Sequence, residues 1–244
     1  MEVLPLLFFW RGGTSTREME EFTNELISQL NVDIAFYIGP FGISESVVVS
    51  WIVMAILILL SIWLTHGLKV HNPSKRQVVA ETIVTSLDSL TRSMLGENAK
   101  EYSGYIATVL LYIGLSNIIG IFGLKPPTKD MNVTIALSLM SIILIEASGI
   151  RAKGTKGWLK SFSQPMAIVT PINILEVFTK PLSLCMRLFG NVLGAFVIME
   201  LIKMVVPVFI PTVFSLYFDF FDGFIQAYVF VFLTSLFIAE ATEV

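Results

Sequence analysis

Apolar residues are grouped along the chain in long segments that are separated by short polar stretches. The first three run from Ser46 to Thr65, from Tyr102 to Leu124 and from Val133 to Ile150. Each of them lies within the roughly 17–25 residues that a membrane-spanning helix needs. Alternation with a period of two is absent from the sequence, which makes a membrane barrel improbable. The pattern therefore predicts three spanning helices in this part of the chain.

Two later apolar segments, Pro171–Val206 and Pro211–Ala241, are too long for upright spanning helices. With a rise of 1.5 Å per residue they would extend roughly 54 and 46 Å as continuous helices. The hydrocarbon core of a membrane is only about 30 Å thick. We therefore expect a steeply inclined helical hairpin that turns between Pro207 and Pro211, with Pro181 as a place where its first helix can bend.

Two polar segments have the spacing of amphipathic helices. Residues 1–45 contain more acidic than basic residues, and Ser15-x-x-Glu18 resembles a capping box that opens a surface helix. A second capping box, Ser74-x-x-Gln77, opens a helix to about Leu95, where Gly96 is a plausible end. Apolar residues recur every three or four positions in this second helix, which is typical of a helix lying in a membrane interface.

The expected fold class is an all-α membrane protein with about five membrane helices and one interfacial amphipathic helix. The last two helices are long and strongly tilted as a hairpin. Residues 1–45 form an N-terminal extracytoplasmic or interfacial segment, and residues 46–244 form a single transmembrane domain.

The distribution of basic residues predicts the orientation in the membrane. The segment His66–Glu101 carries five Lys or Arg residues and Arg151–Lys160 carries four, whereas the N-terminal segment and Lys125–Lys129 carry two each. Cytoplasmic loops are enriched in Lys and Arg. The N-terminus is therefore expected outside and the C-terminus in the cytoplasm.

Composition supports a membrane protein and excludes several other classes. Hydrophobic residues make up 55% of the chain and charged residues 14%, whereas a soluble domain has about 25% charged residues. A net charge of −3 argues against a nucleic-acid partner. A single cysteine, Cys185, excludes an internal disulfide, and two histidines without a Cys/His cluster make a zinc site improbable. Enzyme motifs are also absent, so no cofactor, metal site or catalytic residue is expected.

Arg187 is the most unusual residue, because it lies in the middle of an apolar segment. Arginine at the centre of a membrane helix costs roughly 2.5–3.5 kcal/mol on insertion scales and usually marks function. Arginine also cannot lose its proton in a protein. In a helix it belongs to one polar stripe, which consists of Glu176, Lys180, Ser183, Arg187, Asn191 and Gly194. The alternative is an arginine that Glu176 and helix carbonyls neutralise, with no role in transport.

Other polar side chains in apolar segments are further candidates for an ion path. Asp219, Asp222 and Gln226 share one face of an α-helix, where the two carboxylates either hold protons or cations or are simply hydrated at the outer interface. Glu200 either forms an ion pair with Lys203 or belongs to such a path.

Glu146 in the third span and Asn117 in the second are weaker candidates. Polar residues of this kind often only form hydrogen bonds to a neighbouring helix.

The sequence Lys180-Pro-Leu-Ser-x-x-x-Arg-Leu-Phe-Gly-Asn191, followed later by Gln226, resembles subunit a of the bacterial F-type ATP synthases. Asn117 and Pro171-x-Asn-x-x-Glu176 agree with that family, and the resemblance covers about residues 45–243. It implies a non-catalytic stator in the bacterial inner membrane, beside a rotating ring of c subunits, with two half-channels that carry protons or sodium ions. The implied partners are the c-ring, the b-subunit peripheral stalk, other ATP synthase subunits and membrane lipid.

The resemblance also implies roles for individual residues. Arg187 corresponds to the essential arginine, Asn191 and Gln226 line the same interface, and Glu176 belongs to the cytoplasmic access path. Phe196 departs from proton-driven members, which often have a carboxylate there, so sodium coupling stays open. The competing class is a secondary transporter that binds an anionic substrate at a buried arginine, although the repeated halves common in that class are not evident.

Overall fold

The computed structural model describes residues 34–38, 41–69, 73–96, 99–122, 124–163, 167–205, 214 and 216–243. The surface helix predicted after Ser15 lies outside these residues, and so does the turn predicted at 207–211. The side chains of Glu200 and Asp219 also lie outside the described part, although both residues belong to helices.

The described chain begins with a β-hairpin and continues as helices. Strands β1 (Ile34–Ile38) and β2 (Phe41–Ser44) pair in antiparallel fashion, which is a small departure from the all-α expectation. Six α-helices follow within the described residues: α1 (Glu45–Thr65), α2 (Lys75–Leu95), α3 (Ala99–Ile118), α4 (Met131–Ser161), α5 (Thr170–Val205) and α6 (Gly223–Thr242).

Four helical stretches in the described residues are long and apolar enough to cross a membrane, and they make the chain a multi-pass membrane protein. They are Glu45–Thr65, Met131–Ser161, Thr170–Met199 and Phe220–Thr242.

The second predicted span is present as α3, which continues as a 3-10 helix to Phe122. Helix α3 is less apolar than those four stretches, since it starts with Lys100 and Glu101, yet it packs against α1, α2 and α6.

The amphipathic helix α2 has the ends that the sequence predicts. The Ser74 hydroxyl accepts a hydrogen bond from the Gln77 backbone N–H at 3.3 Å, and Gly96 ends the helix with a φ of 57°. Leu87 and Leu90 pack against the core, whereas Val79 is exposed on the same helix. This arrangement is consistent with a helix that lies against the bundle and along the membrane interface.

Helix α4 contains a break that the sequence pattern did not indicate. Gly154 has a φ of 71° and a ψ of 161°, and helical structure continues on both sides of it. The basic segment Arg151–Lys160, expected to be a loop, is therefore mostly helical. A positive φ is readily adopted by glycine because it has no Cβ. The break brings Trp158 to within hydrogen-bonding distance of Glu146 in the preceding part of the helix.

The core lies where α3, α4, α5 and α6 meet. Ile113, Ile145, Leu188, Phe230 and Ile238 are almost completely buried there. Small hydroxyl residues also face this interior, and each donates to a carbonyl of its own helix: Thr134, Ser138, Ser141, Ser148 and Thr234. Such residues let membrane helices pack closely without leaving a buried hydroxyl unsatisfied.

Helix α5 confirms the expected length of the first member of the hairpin, whereas α6, with 20 residues, is shorter than the expected segment Pro211–Ala241. Helix α5 is continuous for 36 residues and contains Pro181. Within the last apolar segment, a π-helix, Leu216–Asp222, directly precedes α6, which begins at Gly223. The steep tilt of this pair in a membrane stays a prediction.

Candidate functional site

Helix α5 presents Arg187 on its outer face. Leu184, Cys185 and Leu188 are buried on the inner face, where the Cys185 thiol lies 3.5 Å from the Thr134 hydroxyl of α4. Because the inner face is fixed by this packing, Arg187 points away from the core. Arg187 and Ser183, one turn before it, are exposed.

The Arg187 guanidinium makes no hydrogen bond or ion pair to any residue within the described ranges. Glu176, which the sequence left open as its neutralising partner, lies instead 3.5 Å from the Lys180 ammonium. An exposed arginine also does not match the buried arginine that the transporter alternative requires. The structure thus presents a permanent cation on an apolar face, beside the exposed Leu182 and Met186.

Two polar contacts join α5 to α6 on either side of Arg187. The Asn191 amide donates to the Gln226 side-chain oxygen at 2.6 Å, and the Lys180 ammonium donates to Glu240 at 3.0 Å. From the helical rise of 1.5 Å per residue, these contacts lie about 6 Å and about 10 Å from Arg187 along the helix. They hold α6 alongside the stripe above and below the guanidinium.

Gln226 is only 4% exposed, and its Nε2 has no hydrogen-bond partner among the described residues. Its oxygen accepts the hydrogen bond from Asn191, so the side chain lies in the α5–α6 interface and not in solvent, although the unsatisfied Nε2 is costly. The Asn191 and Gln226 side chains are therefore in direct contact across the α5–α6 interface, and their role in an ion path stays a prediction.

Gly190 and Gly194 leave open space beside Arg187. A Cβ added at either position would find no atom within 4 Å in the described chain. Small residues four apart allow the backbone of another membrane helix to approach closely. The surface next to the guanidinium can therefore accept a helix from a different subunit.

A polar cavity of about 200 Å³ lies where α4, α5 and α6 meet at the basic end of the bundle. Its charged lining residues are Glu146, Lys153, Glu176, Lys180 and Glu240.

Trp158, which the break at Gly154 brings back towards the bundle, donates its indole N–H to Glu146 at 2.9 Å. Two candidates from the sequence, Glu146 and Glu176, thus share one cavity, and Lys180 links it to the stripe.

At the opposite end of the bundle, Asn117 forms a buried junction between three segments. Its amide nitrogen donates to the Gly223 carbonyl at 3.0 Å, and its oxygen accepts from the Thr128 hydroxyl at 2.6 Å. Asn117 is 4% exposed. The side chain holds the start of α6 against α3 and the Pro127–Lys129 turn.

Asp222 is the last residue of the π-helix and precedes this junction. It is partly exposed, and its side chain does not cap α6. The prediction that Asp219, Asp222 and Gln226 share one face depends on α-helical spacing. This spacing is wrong for Leu216–Asp222, which form a π-helix. A π-helix forms i to i+5 hydrogen bonds and rotates its residues differently.

Contacts at this same end connect the loop between α3 and α4 to other elements. The Ser44 hydroxyl donates to Asp130 at 3.2 Å, and the Lys129 ammonium lies 3.4 Å from the centre of the Phe196 ring. The Lys129 ammonium therefore lies next to Phe196, which occupies the position where proton-driven members often have a carboxylate.

Glu240, Lys153 and Trp158 are neighbours of the site that the sequence pattern did not indicate. No spacing in a single sequence relates Glu240 to Lys180, because the two residues lie on different helices. No group of three or more His, Cys, Asp or Glu residues that could hold a metal ion is found in the described ranges.

Comparisons with known proteins agree on one family. The family model described as "ATP synthase A chain" matches residues 47–239. The chain is 34% identical over 223 residues to "ATP synthase subunit a, sodium ion specific" of Propionigenium modestum, covering 85% of this chain and 77% of that protein. It is 35% identical over 206 residues to "ATP synthase subunit a" of Moorella thermoacetica, covering 84% and 94% respectively.

Gly223→Ala tests the buried junction at Asn117. The added Cβ would lie 2.7 Å from the Asn117 Cβ, and overpacking of this kind costs about 1–3 kcal/mol. We expect a lower thermal unfolding temperature for the detergent-solubilised protein.

The matched control is Gly104→Ala in α3, where a Cβ has no neighbour within 4 Å. It should leave the unfolding temperature unchanged or raise it slightly, since alanine favours helix. Equal stability of both variants would contradict the close packing at Gly223.

Proposed function

This chain belongs to the ATP synthase A chain family, and we propose that it is the ion-translocating stator of an F-type ATP synthase. Other ATP synthase subunits are its partners. The observation that carries the proposal is the permanent cation of Arg187 on an apolar outer face, without a partner in the described chain. A charge in such a place needs a complementary charge from another subunit.

The complementary charge in this proposal is a carboxylate on each subunit of a rotating c-ring. An opposite charge within about 4–6 Å favours the ionised form of a carboxyl group. As a ring carboxylate approaches Arg187, its pKa falls and it releases its proton, or its bound sodium ion is displaced. The open space at Gly190 and Gly194 is consistent with the close approach of a ring helix.

Arginine suits this role better than lysine. A lysine in an apolar environment can lose its proton and its charge, whereas arginine keeps both. The fixed charge also repels any cation that would pass directly from one side of the membrane to the other. Ions then cross only by riding on the ring, and each gains about 2.3 kcal/mol per 100 mV of membrane potential.

In this proposal, two access paths for ions lead to Arg187, one from each side of the membrane. The inner path starts at the cavity with Glu146 and Glu176 and follows the stripe past Ser183. The outer path starts at the π-helix, where Asp219 and Asp222 precede the Asn117 junction, and includes Glu200.

Asn191 and Gln226 lie between the two paths, next to Arg187. Their hydrogen bond joins α5 to α6 on the outer side of the guanidinium. This contact is consistent with a barrier between the two ion paths.

The orientation follows from the basic residues around the cavity. Lys153 lines it, and Lys156 and Lys160 follow in the same arm of α4. Cytoplasmic segments carry such residues. We place this end in the cytoplasm of a bacterial cell, with the C-terminus there and the N-terminus outside.

The remaining proposals concern partners and chemistry. The chain itself makes no ATP, since it acts only in ion translocation. Apart from Ser46, Val49 and Val53, helix α1 has few buried side chains, which leaves most of its surface for lipid or for the membrane helix of the b-subunit peripheral stalk.

The coupling ion is a proton or sodium in this proposal. The Propionigenium modestum relative is named for sodium, whereas the Moorella thermoacetica name specifies no ion. ATP hydrolysis by the assembled complex distinguishes the two, because added sodium at fixed pH accelerates only a sodium-coupled enzyme.

Arg187→Ala should abolish ATP synthesis driven by an imposed ion gradient in proteoliposomes, because ring carboxylates would no longer be discharged. The amount of c subunit that copurifies should stay normal. Arg92→Ala is the matched control: Arg92 forms an exposed ion pair with Asp88 on α2, and such a pair contributes only about 0.2–1 kcal/mol. Synthesis at wild-type rates in Arg187→Ala would refute the stator function.

Cysteines on the outer face of α5 should form crosslinks with cysteines in the carboxylate-bearing helix of the c subunit. Ser183→Cys, Met186→Cys and Gly190→Cys are the test positions, in a background with Cys185→Ser because Cys185 is the native thiol. Disulfides would be detected by non-reducing electrophoresis.

Leu184→Cys and Leu188→Cys are the controls for this experiment, since both leucines are completely buried against the bundle. They should give no crosslink. Equal crosslinking from both faces, or none from the outer face at any ring position, would count against a ring on this side of α5.

A further inference from the structure

The cavity at the basic end of the bundle contains the ammonium group of Lys180. The Lys180 side chain is 19% exposed, and its ammonium lies 3.0 Å from Glu240 and 3.5 Å from Glu176. It also lies 5.3 Å from the centre of the Phe237 ring. Lys180 is therefore held in one place by two carboxylates from two different helices.

We propose that Lys180 is a positioning residue of the inner ion path, whose ammonium sets how tightly the cavity carboxylates hold a passing cation. This inference rests on the proposed stator function and assigns a role to Lys180 and Glu240. The passing cation is the coupling ion, a proton or sodium.

The charges that face the cavity explain the effect. Glu146 from α4, Glu176 from α5 and Glu240 from α6 are balanced in part by Lys153 and Lys180. With all five groups ionised, the cavity carries one net negative charge. This charge attracts cations weakly enough to let them leave again.

Removal of the Lys180 charge and removal of the Glu240 charge change the net charge of the cavity in opposite directions. Without the Lys180 ammonium the cavity carries two net negative charges, and Glu176 is freed to bind a cation. Without the Glu240 charge the cavity becomes neutral, and the ammonium is left to Glu176 alone. Both changes break the same contact between α5 and α6, so a purely structural role makes the two variants behave alike.

The test uses the complete ATP synthase in proteoliposomes with its ATP-hydrolysing sector facing outwards. ATP-driven ion uptake is then measured while external sodium is varied at fixed pH, and external pH is varied at fixed sodium. The coupling ion is the one on whose external concentration the rate of uptake depends. The concentration of that ion at half-maximal uptake reports its affinity on the side of the cavity.

Lys180→Met should lower the half-saturating concentration, and Glu240→Gln should raise it, each by about three- to tenfold for one charge a few ångströms away. Lys180→Arg keeps the charge and should stay within about twofold of the wild type. The double variant Lys180→Met/Glu240→Gln restores one net negative charge and should return towards the wild-type value.

Shifts of Lys180→Met and Glu240→Gln in the same direction, or no shift in either, would overturn the inference. If Lys180→Met does not assemble, Glu240→Gln decides alone, because Glu240 is half exposed: a higher half-saturating concentration supports the inference, and an unchanged or lower one refutes it. Arg187→Ala in the same liposomes separates the two proposals, since uptake by that variant refutes the stator function, whereas its inactivity leaves only the role of Lys180 to be decided.

Discussion

The structure depends on one constraint, which is that a guanidinium has to remain charged on the apolar surface of a membrane helix. Arginine cannot escape this situation by losing its proton. The inner face of α5 is occupied by Leu184 and Leu188, which are completely buried, so the helix cannot rotate to turn Arg187 into the bundle. The charge is thus kept at the surface by packing on the opposite side of the same helix.

The contacts between α5 and α6 make this surface specific. Asn191 with Gln226 and Lys180 with Glu240 are the polar contacts on either side of Arg187, while apolar side chains fill the rest of the interface. Because hydrogen bonds and ion pairs need matched partners, the two contacts fix the register of the helices more narrowly than apolar packing does. The open space at Gly190 and Gly194 then lies at a defined height beside the guanidinium.

The two ends of the bundle differ in a way that suits two separate access paths. At the basic end, the break at Gly154 brings Trp158 back to Glu146, and Trp158 lines the same polar cavity as Lys180. At the other end, Asn117 binds the Gly223 carbonyl at the start of α6, directly after the π-helix that carries Asp222. Asn117 is thus occupied in holding these segments together.

The sequence by itself determined the membrane class, the amphipathic helix with its caps at Ser74 and Gly96, the length of α5 and the polar stripe with Arg187. These features are local, because they follow from the spacing of apolar and polar residues within one helix. Only the tertiary structure decided that Glu176 pairs with Lys180 and not with Arg187, that Glu240 belongs to the same cavity, and that a π-helix precedes Gly223. These features depend on contacts between residues far apart in the chain and on backbone geometry at single positions, and periodicity contains no information about either.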